Sequence, residues 1–340
     1  MKKLISNTCS GCAGEIKFEP KQQCLKCSYC ENTFEIKESI SNAEKYPYNE
    51  SSAIKLSKDK YSQCICKSCD KTFFILNDNK NLSCPYCGGG EVDGAFDIAE
   101  VPDGIVPFKL NKDEALQSFL TWVKKKKFVP NGFKNQVRSN FLKGVYLPVY
   151  SYDFVAKTKF SGYRTTTRYY DGKSHTTRTY IKDKKDYKFN NYLDSANSIV
   201  SVISLREVSN YDFSSLCVFR TEYLYGFLGL SIDKNLHTSC GNMKNEAIND
   251  IKNFIRRDYG RDIQNLKVEA NFLDVKYNYL YVPLYVTSYN YKDKDYYCYI
   301  NGQTGKINGK APKSFWKYFF FISGLFIGML GLAMFAFHFM

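Results

Sequence analysis

Several familiar devices are missing from this chain. It contains no GxxxxGK[ST] phosphate loop, so a helicase or other P-loop ATPase would lack its phosphate cradle. Histidine occurs only three times, and no serine or cysteine sits in a recognisable nucleophile–base pattern. His175 falls near the tip of a candidate hairpin, where a lone exposed histidine is no sign of catalysis. No secretory signal precedes the cysteines. Acidic residues are in deficit, 34 Asp and Glu against 48 Lys and Arg, for a net charge of +14. Together these absences argue against an enzyme. The surplus cations fit two kinds of partner, nucleic-acid phosphates and the anionic inner leaflet of a membrane. For any single lysine, a solvated face is the plainer reading.

Residues 318–340, YFFFISGLFIGMLGLAMFAFHFM, carry no acid or strong base. A helix over them would be about 34 Å long, enough for a hydrocarbon core of about 30 Å. Lys310, Lys313 and Lys317 precede the run, and Trp316 and Tyr318 stand where an interfacial aromatic belt would. A buried core helix is the alternative, but a core helix of this length should show a polar face. The expectation is therefore a C-terminal transmembrane helix over residues 315–340. The flanking lysines would place the body in the cytoplasm, on a single-pass cell-membrane protein.

The cysteines crowd to the other end: of 13, ten lie in the first 87 residues. Cys9 and Cys12 with Cys27 and Cys30 form one paired CxxC set. Cys66 and Cys69 with Cys84 and Cys87 form a second. In each, 14 residues separate the two CxxC steps. CxxC places two thiolates on one tight turn, and two such turns complete a tetrahedral four-thiolate site. A reducing cytoplasm favours metal over disulfides. The expected cofactors are two structural Zn²⁺ ions, each with no open position for a catalytic water. Ile16-Lys17-Phe18 and Phe73-Phe74-Ile75 suit the hairpin joining the two turns of each set, and Thr33 to Ile36 a third strand. Cys24 with Cys27 is an alternative first pair, but Cys27 with Cys30 gives equal loops in both ribbons. The spare Cys24 and Cys64 are ordinary thiols or sensors beside the metal.

Residues 99–312 read as a duplicated body. Residues 111–123 form an amphipathic helix with Ala115, Phe119, Trp122 and Val123 on one face, then a basic run, Lys124, Lys125, Lys126 and Lys127. Residues 144–154, GVYLPVYSYDF, are strand-like. The order returns with a helix at 245–255, carrying Ile248, Ile251 and Ile255, and strands that include Tyr281-Val-Pro-Leu-Tyr285. That word echoes Tyr146-Leu-Pro-Val-Tyr150, 135 residues earlier. Pro148 and Pro283 lack an amide donor and are expected at sheet edges or strand entries. Residues 160–189 predict a long basic, aromatic hairpin turning at Asp171-Gly172. Arg164, Arg168 and Arg178 on it, with Lys124 to Lys127, are the candidates for a nucleic-acid or anionic surface. A solvent-exposed hairpin with Thr and Arg cross-strand pairs is the plainer reading and the one favoured for them.

With CPYCG at Cys84 to Gly88, VPFKL before a helix, GVYLPV and NGQTGK at Asn301 to Lys306 on the page, the chain resembles a family. It is similar to the bacterial membrane-anchored, TFIIB-type zinc ribbon-containing proteins, often mislabelled primosomal or phage replication proteins. The resemblance implies a structural-zinc membrane protein without established catalysis, some relatives being linked to phage-shock-type envelope stress. The sequence departs from the pattern at Ala13 and Glu31, where a knuckle glycine is common, and in the extra Cys24.

The expected fold class is thus α+β: two N-terminal zinc ribbons, a duplicated helix-plus-antiparallel-sheet body and one C-terminal transmembrane helix. The expected segments are ribbon 1 over 1–37, a linker over 38–61, ribbon 2 over 62–98, one body unit over 99–240, a second over 241–312, and the membrane helix. The expected function is a non-enzymatic adaptor binding a protein partner at the inner membrane surface, in envelope stress, with a membrane-tethered nucleic-acid binder as the alternative.

Overall fold

The computed structural model describes residues 9–36, 44–49, 61–68, 72–76, 92–96, 102–130, 142–198, 200, 202–291 and 294–338. Within these, only the backbone is described for 61–66, 72–76, 92–96, 202–204, 221, 288–291, 295 and 332–338. The first 28 described residues make a small three-stranded sheet of β1 (Ile16–Glu19), β2 (Cys24–Cys27) and β3 (Thr33–Glu35).

Nearly everything else joins one large sheet. Its strands are β4 (Tyr46–Pro47), β5 (Tyr61–Cys66), β6 (Thr72–Leu76), β7 (Val92–Phe96) and β8 (Gly104–Ile105). Then follow β9 (Leu142–Tyr170), β10 (Lys173–Ser195), β11 (Leu228–Leu230), β12 (Gln264–Tyr291), β13 (Lys294–Asn301) and β14 (Ile307–Gly309). The path runs β14-β13-β12-β9-β11-β6-β5-β7, with β10 on β9 and both β4 and β8 on β12. Among the described residues there are four α-helices: α1 (Lys112–Lys125), α2 (Val202–Val208), α3 (Leu236–Tyr259) and α4 (Phe315–His338).

This corrects the expected fold class. The chain is mostly sheet with few helices, and strands from both stretches expected as separate units share that sheet. Nor does the expected transmembrane helix stand: among the described residues, no helix is long and apolar enough to cross a membrane. The stretch does coil, as α4, but its side chains are described only as far as Gly331.

The centre of the sheet explains the echoed words. β9 and β12 pair antiparallel with Leu147 opposite Val282, Tyr146 opposite Pro283 and Pro148 opposite Tyr281. The pairing therefore maps onto itself when the two words are exchanged. Strand alternation sends Tyr146, Tyr150, Tyr281 and Tyr285 to one face, against Phe108 and Phe119. It sends Leu147, Val149, Val282 and Leu284 to the other, against Leu205 and Val208. Strands covered on both faces read as near-continuous apolar runs.

The prolines are not at an edge, contrary to expectation. On β9, Pro148 falls between the last β10 pair, at Val149, and the β11 pairs at Val145 and Tyr146. On β12, Pro283 falls between the last β8 pair, at Tyr281, and the first β13 pair, at Leu284. At both gaps no flanking strand asks for the missing amide. Both carbonyls are used, accepting from the amides of Ala196 and Gly302 at 3.0 Å each.

Local signals behave as their chemistry dictates elsewhere. α1 opens on Asn111 with a capping box to Glu114 and buries Ala115, Phe119 and Val123. Asp171 (φ 52°) and Gly172 (φ 67°) both take the left-handed conformation of a type I′ hairpin turn between β9 and β10. The second helix begins nine residues before the periodicity suggests, at Leu236 behind the cap Asn235, because its polar first turns hide it. The stretch expected as a linker also contributes structure. Tyr46–Pro47 pairs with Tyr277 and Lys276, and Lys45 Nζ donates to Asp153, Asn191 and Ser151.

Candidate metal centre

Two backbone turns build the site. In the first, the Ala13 amide donates to Cys9 O and the Cys9 amide to Gly14 O. In the second, the Glu31 amide donates to Cys27 O and the Cys27 amide to Asn32 O. Ala13 (φ 59°) and Glu31 (φ 61°) hold the left-handed position that closes each turn, where glycine would rest without strain. The β1–β2 hairpin sets the turns face to face. The sulfurs of Cys9, Cys12, Cys27 and Cys30 lie within 4.8 Å of one another, a group that can hold a metal ion. Cys9 Sγ is 3.6 Å from Cys30 Sγ, and Cys12 Sγ is 3.5 Å from Cys27 Sγ.

The electrostatics fit a cation. The amides of Gly11 and Cys12 draw the Cys9 thiol below its ordinary value. Those of Cys30 and Tyr29 bring Cys27 down to about 6. The Asn32 amide pulls Cys30 the same way, but its three cysteine neighbours and desolvation push it up to about 12. Four thiolates so close repel one another unless a positive ion sits among them, and a soft dication suits an all-sulfur set. A tetrahedral ion held here would have all four positions filled by thiolates. Cys24 is outside the cluster, at the start of β2, where burial raises its thiol.

The small sheet is fixed to the large one, an arrangement with no signature in the sequence. Phe18 is buried, with its ring centroid 5.2 Å from that of Tyr223 and 6.3 Å from that of Phe227. Its amide donates to Tyr225 O at 2.8 Å. Gln23 Nε2 donates to Phe108 O at 2.7 Å, and Lys21 pairs with Glu114 on α1. The opposite side is open: Tyr29, between Cys27 and Cys30, is 83% exposed.

For the second cysteine set, the Cys66 backbone ends β5, while Cys69, Cys84 and Cys87 lie outside the described residues. β5 and β6 extend the large sheet through β11.

The candidate cations do not converge. Arg164 and Arg168 share one face of the β9–β10 hairpin, and Arg178, opposite Thr165, lies on the other. Arg164 lies against Gly260 at the C-terminus of α3, where a cation meets the negative pole of the helix. Arg178 covers the Tyr163 ring at 4.5 Å, and His175 stacks on Tyr170 at 4.2 Å. Lys124 and Lys125 end α1, and Lys126 and Lys127 lead to Phe128, whose ring meets Tyr318 in the first turn of α4.

Other polar clusters among the described residues serve the fold. Ser239 Oγ donates to Asp194 at 2.7 Å and accepts from Tyr152 at 2.9 Å, all three being buried. Asn301, in NGQTGK, accepts from the Gln303 and Thr304 amides and donates to Val208 O. That motif is a turn whose Asn301, Gly302 and Gln303 are buried, with Gly305 lying against Ser118 of α1.

The fold and site thus define a mostly-sheet protein with a four-cysteine group that could hold one metal ion. No family model and no solved structure matches the chain. Among curated proteins it is similar to YdjG, an uncharacterized protein of Bacillus subtilis (strain 168). The two are 24% identical over 336 residues, which cover 95% of this chain and 94% of that protein.

Proposed function

We propose that the chain is a non-catalytic adaptor whose metal is zinc, held as two structural ions. Cys9, Cys12, Cys27 and Cys30 bind the first, and Cys66, Cys69, Cys84 and Cys87 bind the second. The adaptor works at the cytoplasmic face of the cell membrane, in envelope stress, and presents the outer side of its first ribbon to a protein partner. One observation carries this reading. The closed thiolate set has its inner side packed on the sheet through Phe18 and its outer turn, with Tyr29, open to solvent. Such a site can hold a surface in place and cannot activate water. The resemblance to membrane-anchored zinc-ribbon proteins points the same way.

The nucleic-acid reading has weaker support. A binding groove needs cations and free aromatic faces on one surface. Here Arg164 and Arg178 lie on opposite faces of the hairpin, and the Tyr163 and Tyr170 rings are each already stacked on by a neighbour, Arg178 and His175.

The test uses the full chain in a reducing buffer. Metal analysis is expected to find two zinc ions per chain, and a photo-crosslinking residue in place of Tyr29 to capture one discrete protein in cells. Capture should vanish when Cys12 and Cys30 are changed to Ser. No zinc, or catalytic turnover that persists after chelation, would overturn the adaptor reading. DNA binding that weakens steeply with salt and falls with Arg164→Gln would favour the alternative.

A further inference from the structure

Helix α4 is the largest anomaly on the surface. Trp316 is 65% exposed, Phe320 65% and Ile327 68%. The exposed apolar residues are not confined to a stripe: Phe319, Phe320, Phe321 and Ile322 follow one another and point all round the helix. An exposed apolar surface of this extent calls for an occupant.

The sequence does not show what stands at the root of this helix. Phe128 (φ 62°) turns the chain after α1, and its ring meets Tyr318 at 5.6 Å and Phe321 at 5.2 Å. The Ser314 amide donates to Phe128 O at 2.7 Å, and Lys317 Nζ donates to Val129 O at 2.9 Å. These bonds hold Lys124, Lys125, Lys126 and Lys127 beside the first turn of α4. All four are exposed, and among the described residues none forms an ion pair. Lys310 and Lys313 are exposed at the same end of the helix, next to Trp316 and Tyr318.

We propose that this root is a binding collar for the headgroups of anionic phospholipids, with Lys124 to Lys127 as its principal contacts. The inference deepens the membrane-attached reading and rests on it. The aromatic residues at the helix root take the interface, and the lysines meet the phosphates. The occupant is an anionic bilayer because apolar surface and positive charge adjoin where the end of α1 is bonded to the root of α4, which neither a second basic copy of this chain nor a neutral groove would match.

The test is flotation of the full chain with phosphatidylcholine vesicles, with and without phosphatidylglycerol. Each lysine near an anionic surface contributes about fivefold in affinity. Changing all four to Gln should weaken binding to the anionic vesicles by about six hundredfold, and changing them to Arg should restore it. Metal content and the unfolding midpoint should stay unchanged in both variants, which separates the effect from misfolding. As a second readout, Trp316 fluorescence in a Trp122→Phe chain should be quenched by brominated lipid. Equal binding to both vesicle types, unaltered by the Gln variant, would sink the collar and leave membrane attachment standing. Failure to float with either would sink both.

Discussion

Phe18→Ala tests whether the metal ribbon is part of the body's stability or a loosely carried appendage. Phe18 is 3% exposed and packs edge-on against Tyr223 and Phe227. Truncating a buried phenylalanine to alanine costs about 3–5 kcal/mol through lost burial and the cavity left behind. The two ring contacts account for about 0.5–1.5 kcal/mol each of what is lost. The amide of residue 18 still bonds Tyr225 O, so a residual coupling of about 1 kcal/mol remains. The assay is denaturant unfolding with and without a chelator, followed by circular dichroism of the sheet. In the wild type, chelation should loosen the ribbon and lower the body's midpoint by an amount of the same order as the mutation does. In Phe18→Ala the midpoint should already be low and chelation should add little. A mutational cost under about 1 kcal/mol, or a chelator effect equal in both chains, would refute the coupling.

Other perturbations follow from named contacts. Ala13→Gly and Glu31→Gly relieve left-handed backbone at the metal turns. Each should stabilise the metal-bound protein by roughly 0.5–1 kcal/mol in thermal unfolding, and a loss would show the turns need their side chains. Gly302→Ala would place a Cβ 2.3 Å from the Phe108 ring and 2.9 Å from Pro283. Both are enclosed, so a loss of about 1–3 kcal/mol is expected, and no change in midpoint would contradict this packing. Burial, partly offset by Ser239, lifts the Asp194 carboxyl above the usual carboxylate range. The folded state then holds that proton more tightly than the unfolded state. Its contribution is fully present below the ordinary carboxylate value and is lost as pH rises through the raised folded value. Stability of Asp194→Asn relative to wild type should therefore increase with pH across that window and then level off. A difference that stays flat from about pH 3 to about pH 8 would exclude the shift.

The sequence by itself determined the features whose instructions lie within a few residues of one another. The four thiols of the first set, the choice of Cys27 with Cys30 over Cys24, the capped helix at Lys112–Lys125 and the hairpin at Asp171-Gly172 are of this kind. Each follows from a spacing, a periodicity or a turn conformation that needs no distant partner. Only the tertiary structure decided the rest. Pro148 and Pro283 read as edge residues because a proline cannot donate. In the sheet they occupy its centre, at gaps that four different strands create together. Lys45 and Tyr46–Pro47 read as linker because nothing near them in sequence offers an apolar face, and their partners are more than a hundred residues away. The expected membrane helix was read from an apolar run with its flanking lysines and aromatic residues, whereas among the described residues no helix is long and apolar enough to cross a membrane. What stands around the root of α4, and which side of the metal ribbon remains open, depend on which surfaces meet. That is settled by long-range packing of Phe128 and Phe18, for which the chain carries no local signal.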